Sequence, residues 1–398
     1  MFGDAPAKRE PSEAESAAPV TLYFETLDVF PAMPGGGNSL AVVHGADALT
    51  GAQLQRVAAE FPSNTAFILP PDDQANTAKL RVFTHEAELP EADANASIGV
   101  ASVLEWRGPA FGREVGECVL LEQPGGVVPV TLLEEGSWQL DAPAFQVLAM
   151  GEGVSMAEAA ACLGLATTDL CPPGPRVAFV GGAGYTLIEV RSQEVLGQCV
   201  PAAVAIATTP TGKVLAWTRV VEGDDLAEVG VQMRIRVFTA NGGREEAASG
   251  AGFCCLLGLL ATCEGGGGAD SYLASITRWI VAQGVEMGRP SILLGECEQA
   301  GRVPRAIRVA PTFLIWQVPA PSGSAGGLAL GARAAVERAH LGMPLFLPRC
   351  GLAPLSEGAH EGGSRAEGVA RAAARQVPGT FALSSHPRSP RSRRPRRF

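Results

Sequence analysis

The tetrapeptide Arg-Val-Phe-Thr occurs twice, at Arg81 to Thr84 and at Arg236 to Thr239, and each copy runs through a charged loop into a stretch of small residues. After the first copy come the acidic loop His85 to Asp93, the run Ala94-Asn95-Ala96-Ser97-Ile98-Gly99 and the apolar Val100 to Trp106. After the second come Ala240 to Glu246, the run Ala247-Ala248-Ser249-Gly250-Ala251-Gly252 and the apolar Phe253 to Leu260. The order of elements repeats along with the letters, which predicts two similar halves, each containing a strand, a loop and a buried helix. The cleft between two such halves is the expected site. Both helices begin with small residues, so their free N–H groups and positive dipole ends would face the cleft and could hold a carboxylate or enolate. Small residues there equally allow close helix packing.

The chain has 398 residues, 46% of them hydrophobic, enough for two ordinary domains of a soluble globular protein plus tails. Its longest apolar run, Ala247 to Cys263, is interrupted by glycines and falls short of the roughly 18 residues of a bilayer span, so it is expected as a helix buried on all sides and no membrane is expected as a partner. The start, Met1 to Pro19, mixes charges with alanine and proline and lacks the apolar core of a signal peptide. Nine scattered cysteines without metal-ligand spacing read as reduced thiols of a cytoplasmic protein. A net charge of −10 and the lack of a basic, aromatic-rich face exclude nucleic acid as a partner of the folded part.

Alternating β-branched and aromatic residues predict strands at Thr21 to Phe30 and Ser39 to His44, paired across the turn Pro34 to Asn38, and again at Thr65 to Leu69 and Lys79 to Phe83. Thr50 is a good N-cap for an amphipathic helix from Gly51 to Phe61. Cys118 to Leu121, Val127 to Leu133 and Trp138 to Leu140 predict short strands, and Ser155 caps a helix to Leu163. Ala178 to Val180, Tyr185 to Val190, Val214 to Val220 and Val231 to Phe238 repeat the mixed α+β pattern. Beyond Ser322 the composition turns to Gly, Ala, Ser, Pro and Arg, which predicts a disordered tail. Its terminal arginines suit a nuclear address, a weak polyanion contact or a merely solvated end.

Several motifs then fall in one order: Asp28-Val29-Phe30 with Gly37 to Val43, Thr65 to Pro70, Arg81 to Thr84 with Glu88-Leu89-Pro90, Ser97-Ile98-Gly99, and Gln283 to Ser291. Over roughly Leu22 to Pro319 the chain resembles the phenazine-biosynthesis PhzF family, which has the diaminopimelate-epimerase-like fold. The resemblance implies two pseudo-symmetric α+β domains, each a sheet curled around a central helix. Its boundaries would be a disordered start at 1–20, a first domain at 21–143, a second at 144–304, a strand at 305–321 returning to the first, and a tail at 322–398. It also implies cofactor-independent proton transfer on a small cyclic carboxylate, with a carboxylate base and a separate proton donor.

Residue by residue, the family's base position falls on Asn64, its histidine on Asn95, and its Asp-Pro-Ala-Thr-Gly-Ser motif on Glu246 to Ala251. Asn64, Asn95 and Glu246 thus occupy the catalytic positions, while Glu88, Ser97, Ser249, Gly250 and Ala251 occupy substrate-binding ones. An amide cannot take up a proton at neutral pH, and of the catalytic set only Glu246 keeps its charge type. A two-cysteine racemase is excluded because Asn95 and Ser249 stand where thiols would be. Two readings remain open. In one, Glu246 and an acid of the first loop (Glu86, Glu88, Glu91 or Asp93) replace the missing pair. In the other, the chain is a non-catalytic ligand-binding or regulatory relative, dimerising through a sheet edge or a domain face.

Overall fold

Two helices with apolar residues on every side have no face to turn to water, so the rest of each half must be built round them. The computed structural model describes residues 21–143, 145–147, 153–264, 274–311, 316–317 and 381–382. Its first half runs β1 (Thr21–Val29), β2 (Asn38–His44), α1 (Gly51–Ala58), β3 (Asn64–Leu69), β4 (Ala78–Phe83), α2 (Ala94–Arg107), β5 (Cys118–Gln123), β6 (Gly126–Leu132) and β7 (Trp138–Asp141). The short β8 (Phe145–Val147) leads into the second half: α3 (Met156–Leu163), β9 (Arg176–Val180), β10 (Ala183–Glu189), α4 (Gln193–Gly197), α5 (Ala203–Ala207), β11 (Lys213–Arg219), α6 (Asp225–Glu228), β12 (Met233–Thr239), β13 (Glu245–Glu246), α7 (Gly250–Glu264), β14 (Ala274–Gln283), β15 (Ser291–Ala300) and β16 (Val303–Pro311). Two-residue strands β17 (Trp316–Gln317) and β18 (Phe381–Ala382) both pair antiparallel with β1. The predicted start 1–20 and, apart from Phe381–Ala382, the predicted tail 322–398 lie outside the described residues.

The pairing order gives the duplication a physical form. From β1 to β7 successive neighbours pair antiparallel, parallel, antiparallel, parallel, antiparallel and antiparallel. The series β9, β10, β11, β12, β14, β15 and β16 follows the same sequence of orientations. The two curled sheets join where the last strand of each meets, with Arg308 opposite Asp141 and Val309 opposite Leu140. The strand expected at 305–321 overlaps β16, paired along its length with β15, and β17, paired with β1.

Each sheet wraps its apolar helix on the inside. Every residue of α2 from Ala94 to Leu104 is buried, as are Phe253 to Leu257 of α7, which is the all-round burial expected of that run. The outer faces are covered by amphipathic helices: α1 packs Leu54 and Val57 near Phe67 and Phe83, while α3 to α5 pack Leu163, Leu196 and Ile206 near Phe238. Ser155 caps its helix reciprocally with Glu158, and at α1 the N-cap Thr50 donates its N–H and hydroxyl to Gln53. Among the described residues, no helix is long and apolar enough to cross a membrane.

The repeated tetrapeptide sits at the hinge of this two-sided arrangement. Strand alternation turns Val82 and Val237 inward onto the central helices and Phe83 and Phe238 outward beneath the covering ones. Each arginine lies beside its phenylalanine, Arg81 5.2 Å from the Phe83 ring centre and Arg236 4.8 Å from that of Phe238. Each also grips a glutamate of the following loop with two hydrogen bonds: Arg81 to Glu88 at 2.7 and 2.6 Å, Arg236 to Glu245 at 2.8 and 2.7 Å. In both copies that glutamate lies opposite the phenylalanine of the repeat. The tetrapeptide is thus a device for folding the charged loop back onto its strand.

The two forks differ in depth. Arg236 also donates to the carbonyls of Leu196 and Cys199, and its side chain is 8% exposed against 26% for Arg81. Arg236→Met strands a mostly covered carboxylate and two carbonyls and should cost about 3 kcal/mol, whereas Arg81→Met should cost about 1 kcal/mol. Urea unfolding of the two variants checks this; equal losses would remove burial as the deciding factor.

Candidate active site

The heads of α2 and α7 meet in the interior, and helix heads carry N–H groups that the helix itself cannot satisfy. Asn95 bridges the two: its Nδ2 donates to the Ala248 carbonyl at 2.9 Å and its Oδ1 accepts from the Gly250 N–H at 3.2 Å. The approach is close because Gly250 lacks a side chain; a Cβ there would lie 2.9 Å from that of Ala94. Two glutamines complete the junction from equivalent strand ends. Gln123 on β5 accepts from the Asp93 N–H at 3.1 Å and donates to the Ser97 hydroxyl at 2.8 Å. Gln283 on β14 accepts from the Ser249 N–H at 3.0 Å and donates to the Glu246 carbonyl at 2.8 Å.

Beside this junction lies a group of charges drawn from both halves. Lys213, at the start of β11, reaches across to Glu91 with Nζ 2.6 Å from the carboxylate, and lies 5.5 Å from the Tyr185 ring centre. Asp93 caps α2, accepting from the Ala96 N–H at 2.6 Å. Tyr185 Oη and Ser249 Oγ lie 3.1 Å apart, where either hydroxyl can donate, and Ser249 stands close enough to Glu246 to favour its ionised form.

Three carboxyl groups here face one ammonium. Asp93 and Glu246 keep part of their surfaces exposed, yet protein packs densely round their carboxyl groups. Burial pushes Glu246 above the usual carboxylate range; Lys213 and Ser249 oppose this, and the neighbouring Asp93 and Glu91 reinforce it. Asp93 is raised in the same way, chiefly by burial and against its hydrogen bond from Ala96. Burial likewise raises Tyr185. Lys213 is held above its ordinary range by Tyr185, Glu246 and Glu91, against the opposing effect of burial. A pair of carboxyl groups that hold protons more tightly than usual, one from each half, can act as proton donor and acceptor on a molecule placed between them. Among the described residues no cluster of His, Cys, Asp and Glu is arranged to hold a metal ion.

The residues singled out from the sequence divide accordingly. Glu246 joins the charged group, and Ser249 contacts Tyr185 and Gln283. Asn95 and Gly250 form the contact between helix heads, and Ser97 is occupied by the Asp93 carbonyl and Gln123. Ala251 and Ser97 line a small void of about 20 Å³, together with Ala94 and Cys254. That is room for about one water molecule. Glu88 belongs to the loop fork with Arg81. Asn64 opens β3 opposite Leu40, and its side chain makes no hydrogen bond among the described residues. Of the first-loop acids, Glu91 and Asp93 reach the group, while Glu88 and Glu86 do not. Lys213, Tyr185, Gln123 and Gln283 were not found from the sequence. Extending the internal repeat would have flagged the glutamines, each closing its strand shortly before a glycine; nothing marks Lys213.

The first and last of the sequence motifs meet as well. Arg289 donates to Asp28 at 2.6 Å, to Ser39 at 2.8 Å and to the Gly37 carbonyl at 3.0 Å, fixing the Gly284 to Ser291 loop on the β1–β2 turn. Gly284 allows the bend after Gln283: its φ is +70°, and a Cβ would fall 2.4 Å from the Arg289 carbonyl oxygen.

The family model described as phenazine biosynthesis-like protein matches residues 27–312. Trans-2,3-dihydro-3-hydroxyanthranilate isomerase of Pseudomonas aeruginosa is 30% identical over 295 residues, covering 72% of this chain and 94% of the relative. The protein of the same name from Pseudomonas chlororaphis is 28% identical over 298 residues, with the same coverages of 72% and 94%. Among solved structures, the PhzF-family phenazine biosynthesis protein of Bacillus anthracis superposes with a TM-score of 0.60 at 20% identity, covering 76% of this chain and 100% of that one. That of Enterococcus faecalis gives 0.54 at 18% identity, covering 75% and 97%. The two-domain α+β fold is thus common to these proteins.

The raised carboxyls have a consequence for stability. A carboxyl whose folded pKa lies above its unfolded value favours the fold below the unfolded value and loses that contribution as pH rises through the folded one. Glu246→Gln removes the penalty, so its melting temperature should match the natural protein's near pH 4.5 and exceed it increasingly towards pH 8. Melting curves across that range test the sign; a gap that narrows with rising pH would refute it.

Proposed function

This chain belongs to the phenazine biosynthesis-like PhzF family, and from that premise we propose that it is an isomerase that moves a proton on a small carboxylate without a cofactor. Its curated relatives named above are isomerases. The observation that carries the reading is the pairing of Asp93 and Glu246 at the meeting helix heads, with Lys213 between the halves. Isomerisation by proton transfer requires a base to take a proton from one carbon and an acid to return one elsewhere. Glu246 is assigned as the principal acid–base group, with Ser249 and Tyr185 beside it. Asp93 takes the role left by the amides at Asn64 and Asn95, and Lys213 offsets the negative charge that accumulates as either carboxyl ionises.

One set of observations favours a second reading, a ligand-binding relative without turnover. Asn95 is committed on both sides of its amide to joining the helices. The void beside Ser97 and Ala251, about 20 Å³, is far below the roughly 300 Å³ or more typical of ligand pockets, so a substrate there would need the halves to part.

The substrate to try first is trans-2,3-dihydro-3-hydroxyanthranilate, the compound in the names of the Pseudomonas relatives. Proton NMR in deuterated buffer should show solvent deuterium entering the substrate's carbon framework with the natural protein. Glu246→Gln should slow this about 100-fold or more. Asp93→Asn, which keeps an acceptor for the α2 cap, should slow it comparably. Absence of exchange in the natural protein, with exchange gained by Asn64→Glu, would establish the second reading instead.

A further inference from the structure

Lys213 grows from the same face of the same sheet as Glu246, yet its ion pair is made with the other half. β11 and β13 flank β12, with Leu215 opposite Val237 and Val237 opposite Glu246. Leu215 and Val237 belong to the inner core, so strand alternation turns Glu246 and Lys213, two residues before Leu215, onto that inner face. Two strand spacings, about 10 Å, lie between β11 and β13, a gap that a four-carbon lysine stem and a glutamate side chain can span together. The ammonium instead crosses the junction, where Nζ lies 2.6 Å from Glu91 Oε1.

Glu91 is held where it can make this contact. The Arg81–Glu88 fork and the hydrogen bond from the Leu89 N–H to the Val82 carbonyl, 2.8 Å, fix the loop just before it. Asp93, capping α2 through the Ala96 N–H, fixes the loop just after it. Glu246 is faced by Lys213, Ser249 and Tyr185 from its own half and by Asp93 and Glu91 from the other. Lys213 is the one cation among these groups, and it already acts on Glu246 through space without closing on it. Since Coulomb attraction falls with distance, the place at which Lys213 is held decides how readily Glu246 takes up a proton.

We propose that Glu91 is a positioning residue of the acid–base site: it holds the Lys213 ammonium across the junction, short of contact with Glu246, and so keeps Glu246 a competent proton acceptor. Without that hold the ammonium settles on Glu246 and stabilises its ionised form, which takes up a proton less readily. Because Glu91 and Lys213 belong to different halves, the arrangement exists only while the halves are together. Its effect on turnover rests on the isomerase reading; the placement of Lys213 does not.

Glutamate carboxyl carbons are isotopically labelled in the full-length protein, and the Glu246 signal, identified by its loss in Glu246→Gln, is followed against pH by NMR. In Glu91→Gln it should titrate at lower pH than in the natural protein. In Lys213→Met it should titrate at higher pH, and adding Glu91→Gln to that variant should move it about half as far or less than in the natural background. Deuterium entry into trans-2,3-dihydro-3-hydroxyanthranilate with Glu91→Gln should reach half its plateau at lower pH, and the plateau rate should fall about three- to tenfold, as a weaker base requires. Glutamine keeps the shape of Glu91, and amide spectra verify that the variants fold. Equal movement of the Glu246 titration with and without Lys213 would overturn the proposal, leaving Glu91 to act by its own charge. So would an unmoved titration with a lower melting temperature, the signature of a pair that only joins the halves. Failure of the isomerase reading shows differently, as carboxyl titrations that move as stated while the natural protein exchanges no substrate protons with solvent.

Discussion

Two helices without a polar face, set head to head inside the protein, impose the constraint from which the rest of the structure follows. Their sides demand a sheet curled round each, and their heads leave N–H groups in a dry place where water cannot serve them. The sides are satisfied by the same sequence of strand orientations in both halves. The heads are satisfied by three amides, Asn95, Gln123 and Gln283, each using both ends of its side chain. An amide suits this position because it donates and accepts at once without carrying charge. Asn95, read from the sequence as a vacated catalytic position, thereby has a positive structural reason to be an amide.

The halves are alike in what folds them and unlike in what they bring to the junction. Arg81 with Glu88 and Arg236 with Glu245 are the same fork. The residue that follows each glutamate is Leu89 in one half and Glu246 in the other, so equivalent backbone delivers a hydrophobic side chain on one side and an acid on the other. Lys213 and Tyr185 come from the second half only, while Glu91 and Asp93 come from the loop of the first. Duplication supplies the frame, and departures from symmetry supply the charged group at the junction.

Much of this was legible in the chain itself. The repeated Arg-Val-Phe-Thr, the apolar runs after it and the capping signals at Thr50 and Ser155 identified two similar α+β halves and placed most strands to within a few residues. Less legible was the long hairpin of β14 and β15, whose strand Ala274–Gln283 carries polar residues at positions that pair with an equally mixed β15. Helices α4 and α5, five residues each, are too short for a helical period to declare itself. The loop acids offered several candidates with nothing local to choose among them: Glu88 is drawn to Arg81, whereas Glu91 is drawn to Lys213, 122 residues away.

What the sequence by itself determined is the part governed by local rules: where apolar residues recur, where helices are capped, and that the chain is built twice. These depend on spacing along the chain, which is visible in the letters. Only the tertiary structure decided that Asn95 ties two helices and that Asp93, Glu246 and Lys213 stand together at the junction of the halves. The energy of a charge depends on what surrounds it in space and on how much water it has lost, and neither is a property of its neighbours in sequence.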